Sequence, residues 1–331
     1  MPQREPDRFT VRVRTPMGRL LPAHLRALAD CAERFGSGEL HLTVRQTPEI
    51  LDVPRAALPG LLATLAASGL GRAAAGPVVR AVSGCSGCQV TPNGLVDSLG
   101  LGLEADARFF GRPCPSKFKL TFAGCPTDCV RAKGADLGFV GRVEVEVDPE
   151  RCERCGLCSD TCREGAITAD TTGLPVVDPQ ACVGCAHCVR ACPVGALEAA
   201  RTGLDVYAGG KHGRHPRSGE RIATMITEDR ALETIERTLA WYRRHGSSGE
   251  RLGTVLDRLG TEDLAATVAE DTDNGRCISA QTWSQNDASP PGYDGRGRGK
   301  DAGSGRSSAT DATEGAASGR PVRAAAAKAS S

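Results

Sequence analysis

The first part of the chain alternates between the hydrophobic patterns of strands and helices. Residues 8–15 alternate apolar and polar side chains, which is typical of a half-buried strand. Residues 22–36 carry apolar side chains at helical spacing, and two short strand-like stretches follow at 39–44 and 49–53. A second helical pattern covers 56–69. A strand, a helix, two strands and a helix in this order predict a small α+β sandwich.

The chain beyond this region mixes the same two patterns. Strands are predicted at 118–124, 137–147, 204–210 and 220–227, and helices near 93–105 and at 229–245. Between them lies a stretch dense in cysteine. After about residue 270 the chain has almost no large apolar side chains, so it cannot bury enough surface to offset its ordering entropy.

These patterns predict an α+β chain in four parts. The parts are a small α+β domain at 1–75, a second α+β domain formed by 76–147 and 201–262, a cysteine-rich insert at 148–200, and a disordered tail at 263–331. Because the insert interrupts the second domain, we expect its two flanking segments to fold together.

Charge and cysteine content narrow the class of protein. The chain has 331 residues and 34.5 kDa, with a net charge of +1, so it has no global attraction for nucleic acid or an anionic membrane. No apolar run reaches the ~18–20 residues that span a bilayer, and the charged N-terminus lacks the pattern of a secretory signal. We therefore expect a cytoplasmic protein. In that reducing compartment, 15 cysteines indicate metal sites rather than disulfides.

Eight of the cysteines form two runs of the same spacing. The stretches CERCGLCSDTC (152–162) and CVGCAHCVRACP (182–193) each read C-x₂-C-x₂-C-x₃-C. This resembles the bacterial ferredoxin with two [4Fe–4S] clusters, in which the fourth cysteine of each run binds the other cluster. One ligand set is then Cys152, Cys155, Cys158 and Cys192, and the other is Cys182, Cys185, Cys188 and Cys162. A zinc site would use two separated C-x₂-C pairs and no further cysteines at these spacings.

Four further cysteines lie upstream of these runs. Cys85 and Cys88 are spaced C-x₂-C in the stretch SGCSGCQV. Cys125 and Cys129 are spaced C-x₃-C and follow a strand that carries two lysines on one face. Both spacings are compatible with a cubane of the [4Fe–4S] type.

The motifs around these cysteines carry a family resemblance. VRVRTPMG, LHLTVRQT, KFKLTFAGCPTDC and DLGFVG stand in the order found in the sirohaem/[4Fe–4S] nitrite and sulfite reductases. The chain resembles this family over about residues 8–260, and most of all its anaerobic (dissimilatory-type) sulfite reductase catalytic subunits, which carry a ferredoxin insert directly after the C-x₃-C segment. The resemblance implies a ferredoxin-like half-domain at the N-terminus and a sirohaem/[4Fe–4S] domain after it.

The resemblance also implies a reaction and its cofactors. Family members reduce sulfite to sulfide with six electrons at a sirohaem iron that shares a cysteine thiolate with a [4Fe–4S] cluster. Cys129 would be the shared ligand, and Cys85, Cys88 and Cys125 would complete the cluster. The insert would add two more clusters and deliver electrons to the first, which makes three [4Fe–4S] clusters and one sirohaem.

Basic residues of the matched motifs are the remaining site candidates. Sirohaem is rich in carboxylates and sulfite is an anion, so the pocket needs many cations. The resemblance implies substrate contacts from Arg12, Arg14, Arg80, Lys117 and Lys119, and cofactor contacts from Arg45, Cys129, Arg131 and Lys133. Pre-aimed cations are worth most in a dry site where charge develops. Taken singly, each of them is more often a solvated charge on a strand than a site residue. Together, in the order and motifs of the family, they indicate function.

One position departs from the family pattern. The family's first cysteine pair is C-x₅-C, which places the second ligand at Thr91, and threonine cannot supply a thiolate. We expect Cys88 to replace it by a shift of the loop. The competing interpretation is that the cluster is altered or lost, which would leave a non-catalytic electron-transfer subunit. A further alternative is reduction of nitrite to ammonia, which takes the same number of electrons at a similar pocket.

The number of half-domains bears on assembly. Full-length assimilatory relatives contain two copies of the half-domain, whereas residues 8–70 are a single copy. We therefore expect a homo- or hetero-oligomer. The resemblance implies electron supply from iron–sulfur and flavin subunits or from a ferredoxin.

Overall fold

The structure is a computed structural model that describes residues 1–269. Its strands are β1 (Arg8–Arg12), β2 (Leu40–Leu42), β3 (Pro48–Pro54), β4 (Ser83–Gly84), β5 (Leu120–Ala123), β6 (Leu137–Val147), β7 (Ile167–Ala169), β8 (Pro175–Val177), β9 (Leu197–Ala208) and β10 (Glu220–Ile226). Its helices are α1 (Pro22–Phe35), α2 (Leu58–Ala67), α3 (Ser98–Phe109), α4 (Leu157–Thr161), α5 (His187–Ala191), α6 (Glu228–His245), α7 (Leu252–Leu259) and α8 (Glu262–Ala269). None of the helices in this range is long and apolar enough to cross a membrane.

The N-terminal strands form a small antiparallel sheet with two helices against it. The strand order is β1-β3-β2, and α1 and α2 pack on the sheet and on each other. The face of α1 that carries Leu28, Cys31 and Ala32 is buried, because these positions recur every three to four residues and meet Ile50 on β3. Cys31 is 0% exposed and burial raises its pKa, so it is a core thiol.

A second, five-stranded sheet forms the centre of the molecule. Its order is β10-β9-β6-β5-β4, in which β4, β5 and β6 run parallel and β6, β9 and β10 run antiparallel. Phe118, Phe122 and Phe139 come from this sheet and are fully buried against Trp241 and other core residues. The helices α3 and α6 pack their apolar faces into this core. Residues from both sides of the cysteine-rich insert therefore share one core.

One helix boundary differs from the sequence pattern. The predicted helix near 93–105 begins only at Ser98, where Asp97 accepts the N–H of Gly100 as an N-cap. The preceding residues are drawn out of the helix because Leu95 N–H donates to Gly124 O, 2.8 Å away. The predicted helix at 229–245 is α6 and agrees to one residue.

The cysteine-rich insert is attached at the end of a long hairpin. Strands β6 and β9 pair antiparallel from Leu137 opposite Ala208 to Val147 opposite Leu197. The insert therefore leaves and rejoins the sheet at paired residues, so it does not disturb the central sheet. Within the insert, two short helices, α4 and α5, and the two-stranded sheet β7-β8 lie around the cysteines.

The predicted start of the tail at residue 263 was wrong. Residues Glu262–Ala269 form α8, in which Leu264 and Val268 are buried. These two side chains are four residues apart, so they share one helix face and pack into the main core. Trp241 Nε1 also donates to a carboxylate oxygen of Asp263, 2.6 Å away. The remaining part of the predicted tail, 270–331, lies outside the described residues.

Candidate functional site

Two of the four upstream cysteines are brought together by neighbouring parallel strands. Cys85 follows β4 and Cys125 follows β5, and Gly84 is paired with Phe122 in the register between these strands. The Gly124 N–H donates to Cys85 Sγ at 3.0 Å, and Ser98 Oγ lies 3.2 Å from the same sulfur. Since parallel strands end at the same sheet edge, both cysteines stand at one edge although 40 positions separate them.

The loop that carries Cys129 is shaped by an aspartate. Asp128 has a positive φ of 47°, and its carboxylate accepts the N–H groups of Ala132 at 2.6 Å and Lys133 at 3.0 Å. These bonds hold the segment after the second cysteine in a tight turn, with Cys129 exposed. Asp128 is a positioning residue that the sequence reasoning missed, although an Asx side chain between two candidate ligands was a usable signal.

Cys88 lies three residues after Cys85, in the loop that follows β4. A tight turn at Gly87, with φ of +75°, separates it from Cys85, and its N–H donates to Val96 O at 3.2 Å. A side chain on Gly94 would come within 2.5 Å of Cys88 Cα, so only glycine fits there. The Cys88 side chain is exposed. Thr91, at the position of the family's second ligand, pairs its hydroxyl with Ser86 Oγ at 3.2 Å.

A glutamine joins the small domain to this edge. Gln46 Nε2 donates to Gly84 O at 2.7 Å, and Gln46 Oε1 accepts the Gly84 N–H at 3.0 Å. The amide thus pairs with the residue directly before Cys85, as a neighbouring strand would. Gln46 is a second positioning residue that the sequence reasoning missed.

The predicted cations converge at the other end of the same strands. Arg80 and Lys119 lie on neighbouring segments, since the Arg80 N–H donates to Phe118 O at 2.8 Å. Arg45 reaches the same region through a hydrogen bond from its guanidinium to Ala81 O. Arg45, Arg80 and Lys119 are close enough to Asp136 and Arg251 for these two charges to affect their pKa values.

A buried ion pair lies beneath this cationic cluster. Asp136 is 0% exposed, receives two hydrogen bonds from Arg251 at 2.9 and 2.8 Å, and accepts the Lys119 N–H at 2.9 Å. Burial raises the pKa of Asp136, and Arg251 and Lys119 act against this effect. Nothing in the sequence pointed to Arg251, because it meets Asp136 across 115 positions of chain. Asp136 could have been noticed in the sequence, because it is a charged residue directly before an apolar strand.

The electrostatics of this cluster favour an anion. Burial is the main cause that lowers the pKa of Lys119 to about 8, and the positive charge of Arg45 is the second. Burial also lowers the pKa of Arg45 to about 10. Within residues 1–269, the Lys119 ammonium has no hydrogen-bond or ion-pair partner. Lys117 is exposed on the same face two positions earlier. A bound anion would offset the mutual repulsion of these cations.

Arg12 and Arg14 each form an ion pair with an acidic side chain of the protein. Arg12 pairs with Glu49 at 2.5 Å while it remains 33% exposed, and it adds to the positive field at Arg45 and Arg80. Arg14 pairs with the buried Asp106 at 2.5 Å and lies 3.9 Å from the centre of the Phe110 ring, so its guanidinium is already bound within the protein.

The two basic residues after Cys129 lie at the surface of its loop. Arg131 is exposed with a left-handed backbone, φ 61°. Lys133 Nζ lies 5.1 Å from the centre of the Tyr207 ring, a cation–π distance. Both stay candidates for cofactor contact.

The insert contains two cavities, and each is lined by four cysteines. Those of the first cavity are Cys152, Cys155, Cys158 and Cys192, and those of the second are Cys162, Cys182, Cys185 and Cys188. The fourth cysteine of each run therefore lines the cavity of the other run. Within residues 1–269, no three His, Cys, Asp or Glu side chains converge on a position for one metal ion.

Backbone amides point at the sulfurs of these cavities. Cys192 Sγ accepts the N–H of Ala196 at 3.1 Å, and Cys162 Sγ accepts that of Ala166 at 3.4 Å, the same four-residue step in each run. Burial acts to raise the pKa of Cys192, but the surrounding amides outweigh it and lower the pKa. Such donors stabilise thiolates, the form in which cysteine binds iron.

Comparison with known protein families gives two matches along the chain. Residues 75–275 match the family described as nitrite and sulphite reductase 4Fe-4S domain, and residues 1–68 match the nitrite/sulfite reductase ferredoxin-like half domain. The two matches meet near the predicted boundary at residue 75. The predicted family is thereby confirmed.

The matching relatives include proteins named as sulfite reductases and others named as nitrite reductases. The coenzyme F420-dependent sulfite reductase of Methanocaldococcus jannaschii is 35% identical over 266 residues, which is 79% of this chain and 42% of the relative. A subunit of the anaerobic sulfite reductase of Salmonella typhimurium is 33% identical over 174 residues, 47% of this chain and 50% of the relative. The chain thus spans half or less of the length of these two relatives.

A solved structure shares the fold. The crystal structure of dissimilatory sulfite reductase I matches with a TM-score of 0.64 and 21% identity, and covers 86% of this chain and 75% of that chain. At this identity the likeness concerns the fold, and it agrees with the predicted mixture of helices and strands.

Proposed function

Because this chain belongs to the nitrite and sulfite reductase family, we propose that it reduces sulfite to sulfide, with six electrons, at a sirohaem coupled to a [4Fe–4S] cluster. One observation carries the proposal. The strands β4 and β5 have Cys85 and Cys125 at one end and the cationic cluster of Arg80 and Lys119 at the other. The family's relatives named as sulfite reductases favour sulfite over nitrite as the substrate.

The residues present fit the two groups of this site. Cys85, Cys88, Cys125 and Cys129 would hold the cluster, with Cys129 shared with the sirohaem iron. When bound, the coupled pair supplies electrons and an iron that binds the substrate sulfur. The cations Arg12, Arg45 and Arg80 would neutralise the cofactor's carboxylates and the sulfite oxygens, and Arg131 and Lys133 would add contacts from the Cys129 loop.

Lys119 would supply protons as well as charge. Removing one oxygen from sulfite as water takes two electrons and two protons, so the site must be refilled with protons during turnover. Arginines stay charged and can only hold the oxygens. Lys119, whose pKa burial brings to about 8, can give up a proton near neutral pH and regain it from solvent. Lys117, exposed on the same face, would add positive charge beside it.

The eight cysteines of the insert would hold two further [4Fe–4S] clusters. The two four-cysteine cavities and the amide donors at their sulfurs support this assignment. These clusters would take electrons one at a time from iron–sulfur and flavin subunits or from a ferredoxin.

Metal content and absorption test the proposed function. We expect protein purified without oxygen from cells that make sirohaem to contain about twelve cluster irons and one sirohaem iron. The three sets of four cysteines would each hold a cubane of about four irons. It should turn over sulfite with a viologen donor. Eight irons without sirohaem absorption would contradict the enzyme and support the electron-transfer subunit that Thr91 suggested. Faster turnover of nitrite than of sulfite would reverse the choice of substrate.

We also propose that the half-domain associates with a second half-domain. The edge strand β2 and the residues after it leave Leu42 72% and Val44 91% exposed, and such an edge can pair with another chain. Light scattering is expected to give a mass above 34.5 kDa for the native chain and a mass closer to it for Val44→Asp. Val176→Asp, which changes a half-exposed valine of the insert, should leave the mass unchanged. A native chain that turns over sulfite as a monomer would contradict this proposal.

A further inference from the structure

A buried arginine lies between the central sheet and the second cysteine cavity. The Arg142 side chain, on β6, is only 12% exposed. Its Nη1 donates to Asp205 at 3.2 Å and its Nη2 donates to Cys182 O at 3.1 Å. Cys182 is the first cysteine of the second run, so this guanidinium contacts the backbone of the loop that lines the cavity.

One donor of this guanidinium lacks a partner. Arg142 Nε is fully buried, and it makes no hydrogen bond within residues 1–269. It faces Gly184, between Cys182 and Cys185, because a side-chain carbon built on that glycine would lie 3.0 Å from Arg142 Nε. A buried donor without an acceptor is destabilising, so the unpaired Nε–H indicates a partner that the protein itself does not supply.

The charged side chains around Arg142 carry a net positive charge. Asp205, whose side chain is 6% exposed, is shared between Arg142 and Arg221, so one carboxylate faces two guanidinium groups. The second cavity is lined by cysteines and apolar side chains together with Glu164 and His187. Glu164 is exposed to solvent, which weakens its effect at the cavity.

The second cavity is also the one closer to the central sheet. Val145 lines it, whereas the first cavity is lined by Leu197, which pairs with Val147 at the tip of the hairpin.

Next to Arg142, a side-chain carbon on Gly141 would lie 2.6 Å from Gly124 O, so the two backbones touch. Gly124 in turn donates to Cys85 Sγ. A short backbone path thus joins the second cavity to the Cys85 site.

We propose that Arg142 is a positioning residue that stabilises the reduced form of the cluster held by Cys162, Cys182, Cys185 and Cys188. This makes that cluster the higher-potential one of the insert and places it next to the Cys85 site. The inference rests on the proposed function. Reduction adds one electron, from the iron–sulfur or flavin donor, and hence one negative charge. A buried cation and an unpaired N–H beside Gly184, in the loop between two of these cysteines, both favour that charge.

A redox titration followed by electron paramagnetic resonance tests this inference. In Arg142→Gln, the reduction equilibrium of one insert cluster should fall about tenfold, a shift of ~59 mV to lower potential. The other clusters should keep their potentials. Arg142→Lys keeps the charge but loses Nε, so the shift should be smaller. Arg201→Gln is the matched control, because Arg201 lies on the same hairpin and pairs with Glu144 at 3.3 Å while 63% exposed.

The outcomes separate this inference from the proposed function. A native chain without clusters in the insert contradicts the proposed function and this inference together. A native chain with all its clusters, whose potentials do not change in either Arg142 variant, overturns this inference alone. In that case Arg142 only pins the loop, and its loss appears as lower thermal stability without a change in potential.

Discussion

Cys88→Ala is expected to remove about four irons and the sirohaem absorption while the insert keeps its cluster signals. Cys88 follows Cys85 by one tight turn, at the edge where Cys125 also stands. A cubane that loses one of its four thiolate ligands leaves one iron without a protein ligand and is destabilised. Sirohaem would share a ligand with this cubane, so it should be lost with it. The insert cavities use none of these cysteines, so their clusters should survive. Iron, acid-labile sulfide and the absorption spectrum measure the loss.

A rescue variant serves as the control. Cys88→Ala combined with Thr91→Cys restores the C-x₅-C spacing of the family, and it should recover iron and sirohaem because Thr91 lies in the same loop. Cys31→Ala changes a buried core thiol elsewhere and should leave the metal content intact. Full iron and absorption in Cys88→Ala alone would show that Cys88 is not a ligand.

Lys119→Gln is expected to lower kcat/KM for sulfite by about 10²–10³, the usual cost of one pre-aimed charge partner at developing negative charge. Lys119 has an ammonium without a protein partner within residues 1–269, and it lies among Arg45, Arg80 and Lys117. Glutamine keeps the length and polarity but neither the charge nor the proton. Lys211→Gln is the control, since the Lys211 ammonium already pairs with Asp257.

The pH profile distinguishes proton supply from packing. The Lys119 pKa is lowered from 10.5 to about 8, so the protonated form predominates below that pH and disappears as the pH rises through it. The native rate should therefore fall above pH ~8. Lys119→Arg should abolish this fall, because arginine stays charged, but its rate should be lower at every pH, because arginine does not give up a proton. Steady-state rates with a viologen donor give the profile. An unchanged profile in Lys119→Gln would remove Lys119 from the reaction.

Local spacing was enough to identify much of this protein. The repeat C-x₂-C-x₂-C-x₃-C gives the two cysteine sets, because three ligands lie in one turn of chain and the fourth lies where the chain has turned away. The alternating pattern at 8–15 and the helical pattern at 22–36 give the small domain, since each pattern is local to its element. The motifs around Cys125 and Cys129 give the family.

Tertiary structure alone decided how the site is held together. Arg251 meets Asp136 across 115 positions, Arg142 meets Asp205 across 63, and Gln46 meets Gly84 across 38. No periodicity links such residues, because their contacts depend on which strands lie side by side. The same reason explains α8, whose two buried side chains gain a partner surface only when α6 is in place. Spacing determined which residues can bind iron, and the packing of distant segments determined which charges surround them.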